Sequence, residues 1–166
     1  MNRRNLFAFL SSLGLVRLAA AAPAAPATAG AADAKAIVPL RLTDAEWQKR
    51  LSAPQYDVLR HEGTERAGTS PLNAEKRKGM FHCAGCDLPL FDASMKYESG
   101  TGWPSFFNYL PGAVVTKTDF KMVFPRTEYH CARCEGHQGH VFNDGPAPTG
   151  KRYCNNGVAL KFVVAA

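Results

Sequence analysis

The chain has 166 residues, which is the length of one domain or of one domain preceded by a leader. Its composition, 46% apolar and 20% charged, is ordinary for a globular protein with a hydrophobic core. Three of its 20 Lys and Arg residues lie in the first thirty positions, leaving 17 basic against 14 acidic residues and no basic run longer than Lys76–Lys78. The charge therefore argues against nucleic acid as a partner.

Residues 1–30 have the pattern of an export signal peptide with its cleavage region. Two basic residues, Arg3-Arg4, precede an apolar run over residues 6–16, and small residues with A-x-A sites follow. Because 11 apolar residues are about half of what a membrane-spanning helix needs, we expect no permanent membrane anchor. The arginine pair resembles a twin-arginine signal, although adjacent arginines also occur in ordinary signals. We expect export to a bacterial periplasm, with an Ala/Pro-rich linker over residues 31–41.

Residues 42–166 are predicted to form the folded domain, which begins with two short helices. Thr43 has the position of an N-cap, with Glu46 completing a capping box. Pro54 begins the second helix and Gly63 ends it.

Short β-branched or aromatic segments, broken by Gly and Pro every eight to twelve residues, fill the chain from Lys78 onward. These segments are residues 79–82, 113–116, 122–124, 127–131, 140–142 and 158–164. Such spacing is typical of antiparallel strands. The fold class predicted is mainly β (α+β): an antiparallel β sandwich or open barrel with short N-terminal helices.

Four of the five cysteines form two CxxC pairs, Cys83 with Cys86 and Cys131 with Cys134. Two residues between cysteines allow both sulfurs of a pair to reach one ion from a tight knuckle, and two knuckles complete a tetrahedron with bonds of about 2.3 Å. We predict one structural zinc ion in this pair of zinc knuckles. Redox-active dithiols or structural disulfides are the alternative, which an exported chain would permit.

The fifth cysteine, Cys154, lies in the stretch PTGKRYCNNG and has no partner. Arg152 stands two residues before it, and a nearby fixed positive charge favours the thiolate, which is the nucleophilic form of cysteine. The alternative is a small buried apolar residue, as most free cysteines are.

Two further stretches, SGTGWPSF and HQGHVFNDGP, add an aromatic wall and two imidazoles. Trp103 stands among glycines and a proline, and His137 and His140 are three residues apart. Each also has an ordinary explanation. The tryptophan would pack in the core, and the histidines would be strand residues whose polar atoms are hydrogen-bonded. Together with Cys154 and Arg152 they form the set expected of a cysteine enzyme with proton donors and a small apolar pocket.

These three stretches, flanked by HCAGC and CARC, resemble the B-type peptide-methionine sulfoxide reductases over residues 42–162. That resemblance implies reduction of the R epimer of methionine sulfoxide in proteins, and of the free amino acid. It implies that Cys154 attacks the sulfoxide sulfur and becomes a sulfenic acid, while His140, with His137 beside it, protonates the departing oxygen. Trp103 would receive the S-methyl group, and no organic cofactor would be needed. Arg152, Asp144 and Asn156 would position the histidines and the thiol.

Two positions depart from the pattern of that family. Many members have SGCGWPSF, in which the cysteine resolves the sulfenic acid as a disulfide, whereas this chain has Thr101 there and no spare cysteine. It therefore resembles the one-cysteine subtype, whose partner is an external thiol reductant such as a thioredoxin-like protein. Gly157 replaces a serine, which puts one local hydrogen bond in doubt.

Two other functional classes compete with the repair enzyme. A non-catalytic zinc-ribbon-like binding module would present Trp103 to a partner, but it would have no need for Cys154, His137 and His140. A thiol-disulfide exchanger is disfavoured because each CxxC pair has a zinc-knuckle context and does not open a helix after a strand.

Overall fold

The computed structural model describes residues 36–121 and 123–166, and it contains two α-helices and nine β-strands. The predicted signal peptide, residues 31–35 of the predicted linker, and Met122 of one predicted strand lie outside the described residues. The helices are α1 (Asp44–Arg50) and α2 (Ala53–His61). The strands are β1 (Gly79–Cys83), β2 (Pro89–Asp92), β3 (Lys96–Tyr97), β4 (Ser105–Phe106), β5 (Val114–Asp119), β6 (Arg126–Cys131), β7 (His137–Phe142), β8 (Arg152–Asn155) and β9 (Leu160–Val164). Within the described ranges, no helix is both long and apolar enough to cross a membrane.

Both helices begin at the predicted kind of signal. Thr43 accepts a hydrogen bond from the Glu46 amide and the Glu46 side chain reaches back to the Thr43 amide, so the capping box is complete. The second helix starts one residue earlier than Pro54 indicated, because Ser52 and Gln55 form a capping box of their own. It ends at His61, two residues before the predicted Gly63, and its C-cap residue Glu62 has a left-handed backbone with φ of 59°.

The strands form two antiparallel sheets, in agreement with the predicted mainly β class. The smaller sheet has the order β2-β1-β9, and the larger has the order β3-β4-β8-β7-β6-β5. Aromatic rings from the two sheets meet in the core: Phe91 stacks on Phe106 at 4.0 Å between ring centroids, and Phe81 meets Phe106 edge-on at 5.0 Å. The hydrophobic interface between these sheets is the main core of the domain.

Four short strands were missed by the sequence analysis, and one strand was predicted where the structure has a loop. Strands β2, β3, β4 and β8 were not predicted, because each has only two to four residues and lies among turn-forming residues. The predicted segment 122–124 was wrong for the two residues described, which have no strand structure. Val123 and Phe124 are instead 91% and 79% exposed in the connection between β5 and β6.

Candidate active site

Cys154 lies on β8, an inner strand of the larger sheet, with β4 on one side and β7 on the other. Its cross-strand partners are Ser105 and His140. Since directly paired residues of an antiparallel sheet project their side chains to the same face, the thiol and the His140 imidazole share one face. Glu128 is paired with His140 on the next strand and extends this row. The opposite face carries Phe106 and Tyr153, which pack in the core.

A β-bulge in β7 brings the second histidine to the same face. The register between β6 and β7 shifts where Tyr129 pairs with Gly139 but His130 pairs with His137, so Gln138 is an extra residue. In a regular strand, residues three apart point to opposite faces. Because the bulge restores a common face, the His137 and His140 rings lie 5.4 Å apart between centroids.

His140 is held by a buried carboxylate. Its Nε2 lies 2.8 Å from Asp119 Oδ2, and that same oxygen accepts a hydrogen bond from Arg126 at 2.8 Å. The backbone amide of Lys121 donates to the other oxygen at 2.9 Å. These donors, the Lys121 amide first and then His140 and Arg126, hold the pKa of the Asp119 carboxyl well below its usual range. Asp119 therefore provides a fixed negative charge behind the imidazole.

His137 is more deeply buried and has a different partner. Its Nδ1 lies 2.8 Å from Glu128 Oε1, and both side chains are about 97% buried. Its Nε2 is also buried and has no hydrogen-bond partner among the described residues. Burial lowers the pKa of His137, and the neighbouring carboxylate of Glu128 acts in the opposite direction. This arrangement favours a neutral imidazole whose Nδ1 carries the proton.

Arg152 lies beside the thiol, and Asp144 and Phe142 fix its guanidinium. Its Nε and Nη2 each donate to one oxygen of Asp144 at 2.9 Å, and its guanidinium lies 4.2 Å from the centre of the Phe142 ring. Asp144 thus positions Arg152. Among the described residues its side chain makes no hydrogen bond to either histidine, which corrects the prediction that Asp144 positions the histidines. Arg152 itself is buried.

Burial raises the pKa of the Cys154 thiol, and this is the largest influence on it. The charge of Arg152, together with hydrogen bonding from Thr101 and Arg152, acts in the lowering direction that the sequence predicted. The net shift is upward, because partial burial outweighs a guanidinium that Asp144 already neutralises. The resting residue is therefore mainly a thiol near neutral pH.

The thiol and His140 open into a cavity of about 130 Å³. Trp103, Phe142 and Thr64 contribute to its lining, and neither His137 nor Asp144 does. Trp103 is fixed by a hydrogen bond from its Nε1 to the Glu65 carbonyl oxygen at 3.1 Å. The cavity combines aromatic walls with one thiol and one imidazole, which suits a small group with an apolar end and a polar end.

Asn156 also lines the cavity, but its side chain makes contacts other than those the sequence predicted. Its Oδ1 accepts from the Glu65 amide at 3.0 Å, and its Nδ2 donates to the Gln138 carbonyl at 3.1 Å. In the described part of the chain it makes no hydrogen bond to Cys154 or to either imidazole. Asn156 thus supports the bulge of β7 and a neighbouring loop, and it influences the histidines indirectly.

The four remaining cysteines form a compact cluster suited to a metal ion. Their sulfurs lie within 4.8 Å of one another and all four residues are buried; the cluster is Cys83, Cys86, Cys131 and Cys134. Two of the sulfur pairs are separated by 3.4 and 3.6 Å. A tetrahedron with 2.3 Å bonds has edges of about 3.8 Å, so the cluster fits a tetrahedral ion closely.

Both CxxC pairs adopt the same knuckle. In each, the amide of the residue after the second cysteine donates to the carbonyl of the first cysteine at 2.9 Å, and that residue has positive φ. These residues are Asp87, with φ of 68°, and Glu135, with φ of 59°. Arginine side chains hold the knuckle carbonyls from outside, among them Arg60, which donates to the Cys134 carbonyl at 2.8 Å. The knuckles are therefore shaped by protein contacts as well as by their own sequence.

Three acidic residues of the site were not predicted from the sequence: Glu65, Asp119 and Glu128. None lies in the motif stretches, and each is separated in sequence from the histidine or tryptophan that it contacts. Asp119 and Glu128 could have been identified from the sequence if the hairpin that contains them had been predicted. A hairpin pairing residues 119 and 126 would have placed both acids on the face that carries the histidines.

Comparison with known proteins gives a consistent match to one family. A family model described as the SelR domain matches residues 51–164. The peptide methionine sulfoxide reductase B1, chloroplastic, of Oryza sativa subsp. japonica is 53% identical over 121 residues, covering 72% of this chain and 56% of that protein. The peptide methionine sulfoxide reductase MsrB of Pseudomonas putida strain W619 is 51% identical over 118 residues, covering 70% of this chain and 89% of that protein.

The match to the rice protein spans little more than half of that relative's length, and the match to the corresponding Arabidopsis thaliana protein spans 60%. The bacterial relative is covered almost completely. Among solved structures, the Mis18 'Yippee-like' domain aligns with 54% of this chain and 99% of its own at 17% identity and a TM-score of 0.42, too weak a likeness to bear on function. The chain belongs to the SelR-domain family, that of the B-type peptide methionine sulfoxide reductases.

Proposed function

We propose that this chain reduces methionine-R-sulfoxide to methionine, in oxidised proteins and as the free amino acid. The observation that carries the proposal is the pairing of Cys154 with His140 on one sheet face, at the mouth of a cavity walled by Trp103. Membership of a family whose relatives are named peptide methionine sulfoxide reductases supports it. The aromatic wall of the cavity suits the S-methyl group, and the imidazole suits the sulfoxide oxygen.

In the proposed reaction the Cys154 thiol passes its proton to His140, and the resulting thiolate attacks the sulfoxide sulfur to form a sulfur–sulfur bond. The S–O bond breaks while His140 returns a proton to the oxygen, because a sulfoxide oxygen leaves readily only when protonated. The released hydroxide then adds to the Cys154 sulfur as the sulfur–sulfur bond breaks, which leaves a sulfenic acid on Cys154 and releases methionine. We assign the proton donor to His140, since it lines the cavity with Asp119 behind it. His137, neutral and outside the lining, supports it from behind.

The second half of the cycle requires a reductant from outside the chain. The sequence has five cysteines, and four of them are placed in the metal cluster. Thr101 stands at the position of the resolving cysteine in the family pattern SGCGWPSF that this stretch resembles, so we assign the chain to the one-cysteine subtype. Two external thiols then reduce the sulfenic acid to Cys154 and water and become a disulfide. A thioredoxin-like protein has the required chemistry.

For the metal we propose one structural zinc ion. Four thiolates fill a tetrahedral ion completely and leave no position for substrate, which is the signature of a structural site. For location we propose export, on the strength of the basic and apolar pattern of residues 1–30.

A stereospecific assay tests the proposed function. Wild-type protein and Cys154→Ser are each given a peptide carrying R or S methionine sulfoxide, with dithiothreitol as reductant. We expect wild type to reduce the R epimer only and Cys154→Ser to reduce neither, with bound zinc unchanged. Reduction by Cys154→Ser, or reduction of the S epimer alone, would overturn the proposal. The binding-module alternative predicts no reduction by wild type.

A further inference from the structure

Glu65 joins the two halves of the candidate site, although it lies outside any helix or strand, in the connection between α2 and β1. Its carbonyl oxygen accepts the hydrogen bond from Trp103 Nε1 at 3.1 Å, and its amide donates to Asn156 Oδ1 at 3.0 Å. Its carboxylate accepts from the Gly157 amide at 2.5 Å and from the Val158 amide at 3.0 Å. One residue therefore binds both the tryptophan wall and the segment that follows Cys154.

The Glu65 carboxylate accepts hydrogen bonds from backbone amides that have no acceptor nearby in the sequence. Residues Gly157–Ala159 form a 3₁₀ turn, whose first amides have no partner within the turn. Asn156 precedes the turn but its side chain makes no capping hydrogen bond to it. Glu65 supplies both acceptors from 92 residues earlier in the chain. A charged acceptor on two backbone amides is among the stronger kinds of hydrogen bond.

Close packing at two glycines brings the Glu65 connection against both parts of the site. A Cβ atom at Gly157 would lie 1.8 Å from Ser70 Oγ, so Ser70 occupies the space where a side chain at position 157 would begin. A Cβ atom at Gly102, next to Trp103, would lie 2.9 Å from the Gly68 amide nitrogen. The absence of side chains at these two positions lets the connection approach both segments. Thr64, beside Glu65, lines the cavity itself.

We propose that Glu65 is a positioning residue for the reaction, which fixes the Trp103 wall relative to the strand that carries Cys154. The inference rests on the proposed function, because it assigns Glu65 to the site where the sulfoxide methyl group would bind. Without the carboxylate, the connection loses its anchor on residues 157 and 158 while its backbone contacts to Trp103 and Asn156 remain. Trp103, which is bound to that connection, then loses its fixed position relative to Cys154, and substrate binding weakens.

The test compares Glu65→Ala and Glu65→Gln with wild type. We expect Glu65→Ala to lower kcat/KM for a methionine-R-sulfoxide peptide by about 10- to 100-fold, mainly through KM, since a misplacement of about 1 Å can cost that much. Glu65→Gln keeps one acceptor oxygen and should show a smaller loss in the same direction. Glu75→Gln is the matched control, because Glu75 binds Arg77 and no residue of the site. Its kcat/KM should equal that of wild type.

A second readout does not depend on activity. The chain has two tryptophans, and Trp47 is 2% exposed in the core, so quenching of fluorescence by acrylamide reports mainly on Trp103. We expect more quenching in Glu65→Ala than in wild type, at a temperature where circular dichroism shows both to be folded. A folded Glu65→Ala with wild-type KM and wild-type quenching would overturn the inference. An inactive wild type would overturn the proposed function instead, and the quenching would still test the role of Glu65.

Discussion

Replacing Asp119 by Asn tests which histidine donates the proton. Asn keeps the size of the side chain but removes the negative charge behind His140. The His140–Asp119 pair is well shielded, with the two side chains 13% and 6% exposed, and its atoms are 2.8 Å apart. An imidazole that donates a proton must first be the cation, and the carboxylate stabilises that cation. The substitution should therefore slow the step that releases the sulfoxide oxygen.

The size of the effect follows from the kind of contact that is lost. A hydrogen bond to a charged group contributes about 1.5–3 kcal/mol. If that energy is available only when His140 is a cation, its loss raises the barrier by the same amount, which corresponds to about 10- to 150-fold in kcat/KM. Arg126 loses part of its ion pair as well, so stability should fall without the site being lost.

The matched comparison is Glu128→Gln, which removes the same charge from behind His137 at the same distance of 2.8 Å. Both variants are assayed with a methionine-R-sulfoxide peptide and dithiothreitol, and circular dichroism and zinc content confirm that they are folded. We expect the larger loss of kcat/KM in Asp119→Asn. A larger loss in folded Glu128→Gln would refute the assignment of His140 and point to His137.

Three other substitutions address the nucleophile, its recycling and the metal. Because the Arg152 charge lowers the pKa of the Cys154 thiol against the effect of burial, Arg152→Met should move the pH profile of Cys154 alkylation by iodoacetamide to higher pH; an unchanged profile would contradict this. One turnover without reductant should leave a dimedone-reactive sulfenic acid in wild type and an intramolecular disulfide in Thr101→Cys, as seen by mass spectrometry. A wild-type disulfide to Cys154 would show that a cluster cysteine is recruited. Chelation, or Cys131→Ser, should unfold the domain, because zinc binding of about 10–16 kcal/mol matches or exceeds the stability of a typical domain; a stable metal-free variant would argue against the structural role.

The sequence was most informative where spacing along the chain decides the structure. The capping box at Thr43 and Glu46 and the two CxxC knuckles depend on residues that are three or four apart, so their geometry can be predicted locally. Cys154 is the proposed nucleophile by elimination, because the other four cysteines form the cluster. Cys154 and His140 are also predicted residues that the structure brings side by side.

The sequence was least informative where the structure depends on strand pairing. Contacts between distant loops and turns are equally hidden: nothing in the chain near Glu65 indicates that it reaches Gly157, because the contact joins a connection and a 3₁₀ turn that lie 92 residues apart. The apolar residues Val123 and Phe124 predicted a strand, yet they lie exposed in a connection. The adjoining Pro125 cannot donate a hydrogen bond to a sheet ladder. Apolar character alone does not reveal which residues find a partner strand.

The bulge at Gln138 links the candidate site to the cysteine cluster. Deleting Gln138 would change this part of β7 from a bulge to regular alternation, in which histidines two residues apart still share one face. The deletion would also remove a carbonyl that binds Asn156 and a side chain whose Nε2 lies 3.4 Å from the sulfur of Cys83. The extra residue therefore connects the strand of the two histidines to Asn156 through its carbonyl and to the cysteine cluster through its side chain, so the candidate site and the cluster share one residue.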